Sequence, residues 1–201
     1  RRCPIYELPM KLAIISDPHG SFDDLKAVLD DVRRETEHIL CLGDLYECHI
    51  GKKRRHERFH HVEDVVTYDP NYEALLTFPS LRGNQEERID EVLVIDHPVK
   101  TRISLLPEQT TLEEARFLHG HQVKWNEDWE PVVEKGKYPL VFIGHSHIPG
   151  IYRKGKSLPW EIGTPFHLKK KRYVINVGAV IFDREWCLYD TEARTVTRMK
   201  A

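Results

Sequence analysis

The chain has 201 residues, 40% hydrophobic and 31% charged, with a formal net charge of −2. That is enough for one domain with a real core, and it lacks the positive field of a nucleic-acid or anionic-membrane binder. No apolar run approaches the ~20 residues of a membrane span and no secretory pattern opens the chain, so a cytoplasmic protein is expected.

Arg1 to Pro9 precede Met10 and read as a leader or an expression remnant, which leaves 10–201 as the domain. Lys11 to Ser16 reads as a central strand, followed by a turn at Asp17 to Gly20. Ser21 and Asp24 have the spacing of a capping box, and Phe22, Leu25, Val28, Leu29 and Val32 follow at helical spacing. His38 to Leu42 returns as a strand, completing a β-α-β unit. Residues 47–67 form a basic insert, with Lys52 to Arg58 its charged part; a solvated face is the first reading and a lid over an anionic substrate the second.

Asp69-Pro70-Asn71 opens a helix, Phe78 to Leu81 reads as a third strand, and Asn84 to Val92 as a short helix. Thr110 to Leu112 and Ala115 to Leu118 read as a hairpin, and Trp129 to Lys135 as a helix stopped by Gly136. Leu140 to Ile143, Gly150 to Arg153, Tyr173 to Asn176, Glu185 to Tyr189 and Val196 to Met199 complete a strand-rich second half. Residues 155–171 are a second basic insert, read as solvated. Trp125, Trp129 and Trp160 are assigned to core packing, with a homo-oligomer contact as the alternative. The cysteines, Cys3, Cys41, Cys48 and Cys187, have no close metal-ligand spacing and read as reduced thiols.

Five strand-like runs end in oxygen or nitrogen ligand types. Asp17-Pro18-His19, Gly43-Asp44, Gly83-Asn84, His119-Gly120-His121 and Gly144-His145-Ser146-His147 each follow an apolar stretch. Two histidines one residue apart on an extended segment point to one side, and imidazole is the commonest protein metal ligand. Singly these motifs are weak. Five at strand ends point to a metal site.

In this order the motifs resemble the calcineurin-like metallophosphoesterase superfamily, in its small single-domain phosphodiesterase branch. Tyr68-Asp69-Pro70-Asn71, Leu106-Pro107-Glu108 and Asn176-Val177-Gly178-Ala179 extend the likeness over nearly the whole chain from Met10, the two inserts apart. The resemblance implies an α/β fold, a four-layer α/β/β/α sandwich of two mixed sheets flanked by helices. It also implies two divalent metal ions, one held by Asp17, His19 and His147 and one by Asn84, His119 and His145, with Asp44 bridging. The absence of cysteine from that set leaves manganese as first choice and iron, nickel, zinc or magnesium open. The implied chemistry is attack on phosphorus by a bridging hydroxide, with a small phosphate ester as substrate and no membrane or nucleic-acid partner.

One position departs from the pattern. Many relatives place histidine after the motif asparagine, where it protonates the leaving oxygen or clamps the phosphate; here Gln85 stands there. Glutamine can donate a hydrogen bond but is no general acid. Asn84 is assigned to catalysis as well as to substrate contact, Gln85 to substrate contact, and His121 becomes the candidate acid. A phosphodiesterase is the first reading, with a phosphomonoesterase or nucleotide phosphohydrolase behind it. A non-catalytic scaffold, such as the retromer subunit of this fold, stands further back because the implied ligand set is complete.

Overall fold

The computed structural model describes residues 10–132 and 136–201. The leader assigned to residues 1–9 lies outside them.

The chain opens with Lys11–Ile15 (β1), Phe22–Val32 (α1) and Ile39–Cys41 (β2), then Pro70–Leu75 (α2), Asn84–Val92 (α3) and Pro98–Leu105 (α4). A hairpin, Gln109–Leu112 (β3) and Ala115–Leu118 (β4), is followed by the small ribbon Lys124–Trp125 (β5) and Pro131–Val132 (β6). Leu140–Ile143 (β7), Gly150–Arg153 (β8), Lys156–Leu158 (β9), Pro165–His167 (β10), Tyr173–Asn176 (β11), Glu185–Asp190 (β12) and Thr195–Lys200 (β13) complete it. The fold is mixed α/β. One sheet runs β10-β13-β12-β1-β2 and the other β3-β4-β7-β11-β8-β9. Within the first, β1 and β2 are parallel; within the second, β4, β7 and β11 are parallel.

Side-chain alternation decides what each face meets. Leu12 and Ile14 of β1 join Phe117, Phe142, Ile151 and Ile175 in the core between the sheets. Ala13 and Ile15 face the other way, toward Leu25, Val28 and Leu29 of α1, Ile89 of α3 and Ile103 of α4. The buried apolar side chains of all four helices join this core, while Val123 and Trp125 pack on the outer side of the second sheet.

Several expectations need correction. Trp129 to Lys135 is not a helix where described. Asn126 Oδ1 accepts from the amides of Asp128 (3.0 Å) and Glu130 (2.8 Å), closing a tight turn, and Pro131 then pairs with Trp125 across the ribbon. Residues 133–135 lie outside the described part. Phe78 to Leu81 reduces to one bridge, Cys41 to Ser80, since Pro79 brings no amide to a ladder. The box read at Ser21 does not close, because its hydroxyl donates to Asp24 Oδ2 at 2.8 Å instead of capping the helix. The second insert is only partly solvated: β9 and β10 pair into different sheets, and Trp160 and Leu168 are buried. Trp129 is 51% exposed, so it is not core. The first insert carries two short 3-10 turns, Lys52–Arg54 and Val62–Asp64, with Lys52 to His56 exposed.

Phe117 and Phe142 stack between the sheets, with ring centroids 5.0 Å apart and planes at 11°. Phe117→Ala is expected to lower unfolding free energy by about 3–5 kcal/mol, read by urea denaturation, because neither sheet can collapse into the space. A loss under 1 kcal/mol would mean the sheets are not packed through this pair.

Candidate metal centre

Parallel strands end on one edge. The loops after β1 and β2 therefore meet those after β4 and β7, and the five motifs converge there. The backbone is bent sharply to aim them. Asp17, His19, Asp44, His145 and His147 all have positive φ, between 46° and 69°. That region is uncommon outside glycine, although Asp and His tolerate it better than most. Two glycines allow the close approach. A Cβ on Gly83 would lie 2.1 Å from Asp44 Oδ1, and one on Gly144 would lie 2.0 Å from Ser16 Oγ and 2.5 Å from Asp17 Oδ2.

Asp17, His19 and His147 form one group, and Asp44, His119 and His145 a second; within each, ligand-type atoms lie within 4.8 Å of one another. His19 Nε2 and His147 Nε2 are 3.1 Å apart, and His145 Nδ1 and His119 Nε2 are 3.3 Å apart. The carboxylates stand between the groups. Asp44 Oδ2 is 3.3 Å from His119 Nε2 and 3.8 Å from His19 Nε2. Asp17 Oδ1 lies 3.3 Å from His147, 3.6 Å from His19 and 3.8 Å from His119, yet is aligned for a hydrogen bond with none. Asn84, the first residue of α3, places Oδ1 3.2 Å from His119 Nε2.

The groups are sheltered unevenly: Asp17 and His119 are fully buried, while 37% of the His147 side chain is exposed. Burial pushes the Asp17 carboxyl up, but the charge of His119 and the imidazoles of His147 and His19 hold it well below the usual range. Burial likewise opposes charge on His19, yet Asp17, Glu47 and Asp44 raise it to about 10. His119, against the same burial, is raised to about 9 by Asp44 and Asp17. His145 falls to about 4 through burial and the charge of His119. The cluster favours positive charge between its carboxylates, and its oxygen and imidazole donors fit divalent cations.

Two supporting acids were not identified from sequence. Glu86 is fully buried and accepts from the amides of Asp44 (2.9 Å), Tyr46 (3.1 Å) and Gly83 (2.8 Å), tying the Asp44 loop to the start of α3. Burial and the nearby Asp44 push it up to about 7. Its signal was a Glu three residues after Gly83, the spacing of a capping acid. Glu47 Oε2 lies 2.6 Å from His19 Nδ1, the outward nitrogen of that ring. The remaining candidates flank the cluster. Gln85 donates its amide to Asp44 Oδ1 (2.9 Å), while its side-chain oxygen accepts from Cys48 N (3.1 Å) and from Arg88. His121 Nε2 lies 2.8 Å from Glu87 Oε1, and its ring centroid is 5.4 Å from that of His119.

Two facing mixed sheets with carboxylates and imidazoles gathered where parallel strands end define the metallophosphoesterase class of fold. The chain belongs to the calcineurin-like phosphoesterase superfamily, whose domain model matches residues 10–186. An uncharacterised protein of Methanocaldococcus jannaschii is 26% identical over 213 residues, covering 89% of this chain and 82% of that one. A metallophosphoesterase from Sphaerobacter thermophilus superposes with a TM-score of 0.68 at 19% identity, over 96% of this chain and 88% of its own. An archaeal phosphodiesterase does so at 0.51 and 16% identity, over 96% and 100%. At these identities the two structures show a shared fold. Among the described residues no helix is long and apolar enough to cross a membrane.

Glu86→Gln puts an NH2 group against backbone donors and is expected to cost about 1–3 kcal/mol in urea denaturation, since buried amides lose an acceptor. An unchanged midpoint would show that the Asp44 loop does not depend on this carboxylate.

Proposed function

We propose that the protein is a dinuclear metal-dependent phosphodiesterase. The observation that carries the reading is the pairing of two ligand groups across Asp17 and Asp44, with Asp44 Oδ2 within 3.8 Å of imidazoles from both. In it Asp17, His19 and His147 hold one divalent ion, Asn84, His119 and His145 the other, and Asp44 bridges. Nitrogen and oxygen donors without cysteine suit a borderline or hard divalent ion; manganese is taken first, with iron, nickel, zinc and magnesium as alternatives. When bound, the pair supplies Lewis-acid neutralisation of the phosphoryl oxygens and an activated water.

The chain's own groups do the rest. Asn84 and Gln85 stand at the N-terminus of α3, where the helix dipole favours a phosphate, although the Gln85 N–H is already given to Asp44 Oδ1. Glu47 lies beside His19 Nδ1, on the side of that ring away from the cluster, without aligning for a hydrogen bond. His121 is the proton donor to the leaving oxygen. Glu87 holds the ring through Nε2, and the buried Nδ1, which has no hydrogen-bond partner, lies on the other side of the ring. The buried, free thiols of Cys41, Cys48 and Cys187 suit a reducing, cytoplasmic setting.

Metal content and turnover test this directly. After chelation, bis(p-nitrophenyl) phosphate hydrolysis should be lost and return with Mn²⁺, with much less cleavage of p-nitrophenyl phosphate. Dominant monoester cleavage would make the protein a phosphatase, and no turnover with any divalent ion would leave a binding scaffold. Asp44→Ala should lower elemental metal content from two ions per chain; a variant keeping both ions and full activity sinks the bridge.

His121→Ala is expected to lower kcat about 10²–10⁴-fold on diesters with alkyl leaving groups, and far less on nitrophenyl esters, whose leaving group needs no proton. Equal losses on both would remove His121 from the acid role.

A further inference from the structure

Beside the second ligand group stand two indoles for which the proposed chemistry has no use. The Trp125 and Trp129 ring centroids lie 6.0 Å and 6.4 Å from that of His145, and 6.1 Å from each other. Trp125 is anchored. It lies half-buried against the second sheet and donates Nε1–H to the carbonyl of Gly120 (3.0 Å), between His119 and His121. Trp129 is not: half its surface is open to solvent at the rim of the cluster.

Its backbone is held in a costly conformation. Trp129 has φ of 58°, where a bulky side chain is a genuine outlier. The turn that imposes this is built with care. Asn126 Oδ1 takes the amides of Asp128 and Glu130, Asn126 N donates to Glu130 O (3.0 Å), and Trp129 N donates to Asn126 O (3.1 Å). A glycine at position 129 would relieve the strain, and a polar side chain would avoid exposing an indole to water. The fold instead spends both on placing an aromatic face beside His145.

We propose that Trp129, backed by Trp125, stacks against the base of a nucleoside phosphodiester whose phosphate lies at the ligand cluster. Every nucleobase has a flat π-face that stacks on an aromatic side chain, and the cluster sits one ring away from the indole, about where a nucleotide's sugar separates phosphate from base. Charge narrows the class further. Glu127, Asp128 and Glu130 share the Trp129 turn, and the first two are exposed. They repel a polyphosphate tail or a long nucleic-acid strand but tolerate a single diester. This inference rests on the phosphodiesterase reading for its phosphate end only.

The test compares two diesters that differ only by the base, the methyl esters of adenosine 5′-phosphate and of ribose 5-phosphate, with metal-loaded protein. Stopped-flow tryptophan fluorescence reads binding ahead of turnover. The wild type should bind the adenosine ester about tenfold more tightly, with quenching, as expected for one stacked base. In Trp129→Ala, where Trp125 remains as reporter, the two affinities should become equal, and Trp129→Phe should restore part of the difference. Equal affinities in the wild type, or an unchanged ratio in Trp129→Ala, would overturn the platform. So would a wild-type dimer that becomes monomeric in Trp129→Ala, with no base preference in either. If diester hydrolysis is absent while the base preference and its loss persist, the catalytic reading fails and the platform stands.

Discussion

Buried negative charge governs this molecule. Asp17 and Asp44 are drawn under the sheet edge with almost no solvent, and two carboxylates in such a place cannot both stay ionised without positive charge between them. In the chain alone that charge comes from imidazoles, which is why His19 and His119 hold protons well above the ordinary range while His145, pressed against His119, falls below it. A divalent cation satisfies the same demand with more charge in less space. The electrostatics thus favour ligation before any particular metal is specified.

The sheets exist to hold that arrangement still. Five candidate ligands in three loops adopt left-handed backbone conformations, each costing of order 1 kcal/mol or more. Such strain persists only where surrounding structure over-determines it. Here Glu86 clamps the Asp44 loop through three amides, Gly83 and Gly144 let backbone pass where no side chain fits, and both hydrophobic cores lie directly beneath.

Much of this was legible from the chain because local pattern and global fold agree: β1, α1, β2, the β3–β4 hairpin and strands β7, β8, β11, β12 and β13 carry their own periodicity. The convergence of Asp17, His19, Asp44, Asn84, His119, His145 and His147 followed from each standing just after such a run. What escaped depends on partners distant in sequence. β9 and β10 are short, polar strands that exist only because the edges of two different sheets accept them. The helix α4 had a capping histidine, His97, and a proline at its first position, but no strong apolar stripe to announce it. Trp129 looked like core because an indole in sequence carries no sign of which way its loop faces. Glu86 and Glu87 both stand in the first turn of α3, and nothing local marks that one is fully buried and bonded to the Asp44 amide while the other reaches His121.

Gln85 shows how a departure from the family pattern can be structural in its own right. Its backbone amide holds Asp44 Oδ1, while its side-chain oxygen takes the amide of Cys48, where the basic insert begins, and a bond from Arg88. Arg88 is itself buried, with Nε unpartnered, so the oxygen it reaches in Gln85 offsets part of the cost of burying a guanidinium. A neutral imidazole has one acceptor nitrogen set in a rigid ring, whereas an amide oxygen has two lone pairs at the end of a flexible stem. Glutamine therefore ties the insert, α3 and the Asp44 loop into one unit. An amide is no general acid, and the nearest loop that carries a histidine beside the ligand groups holds His121, which contacts Glu87 of the same helix.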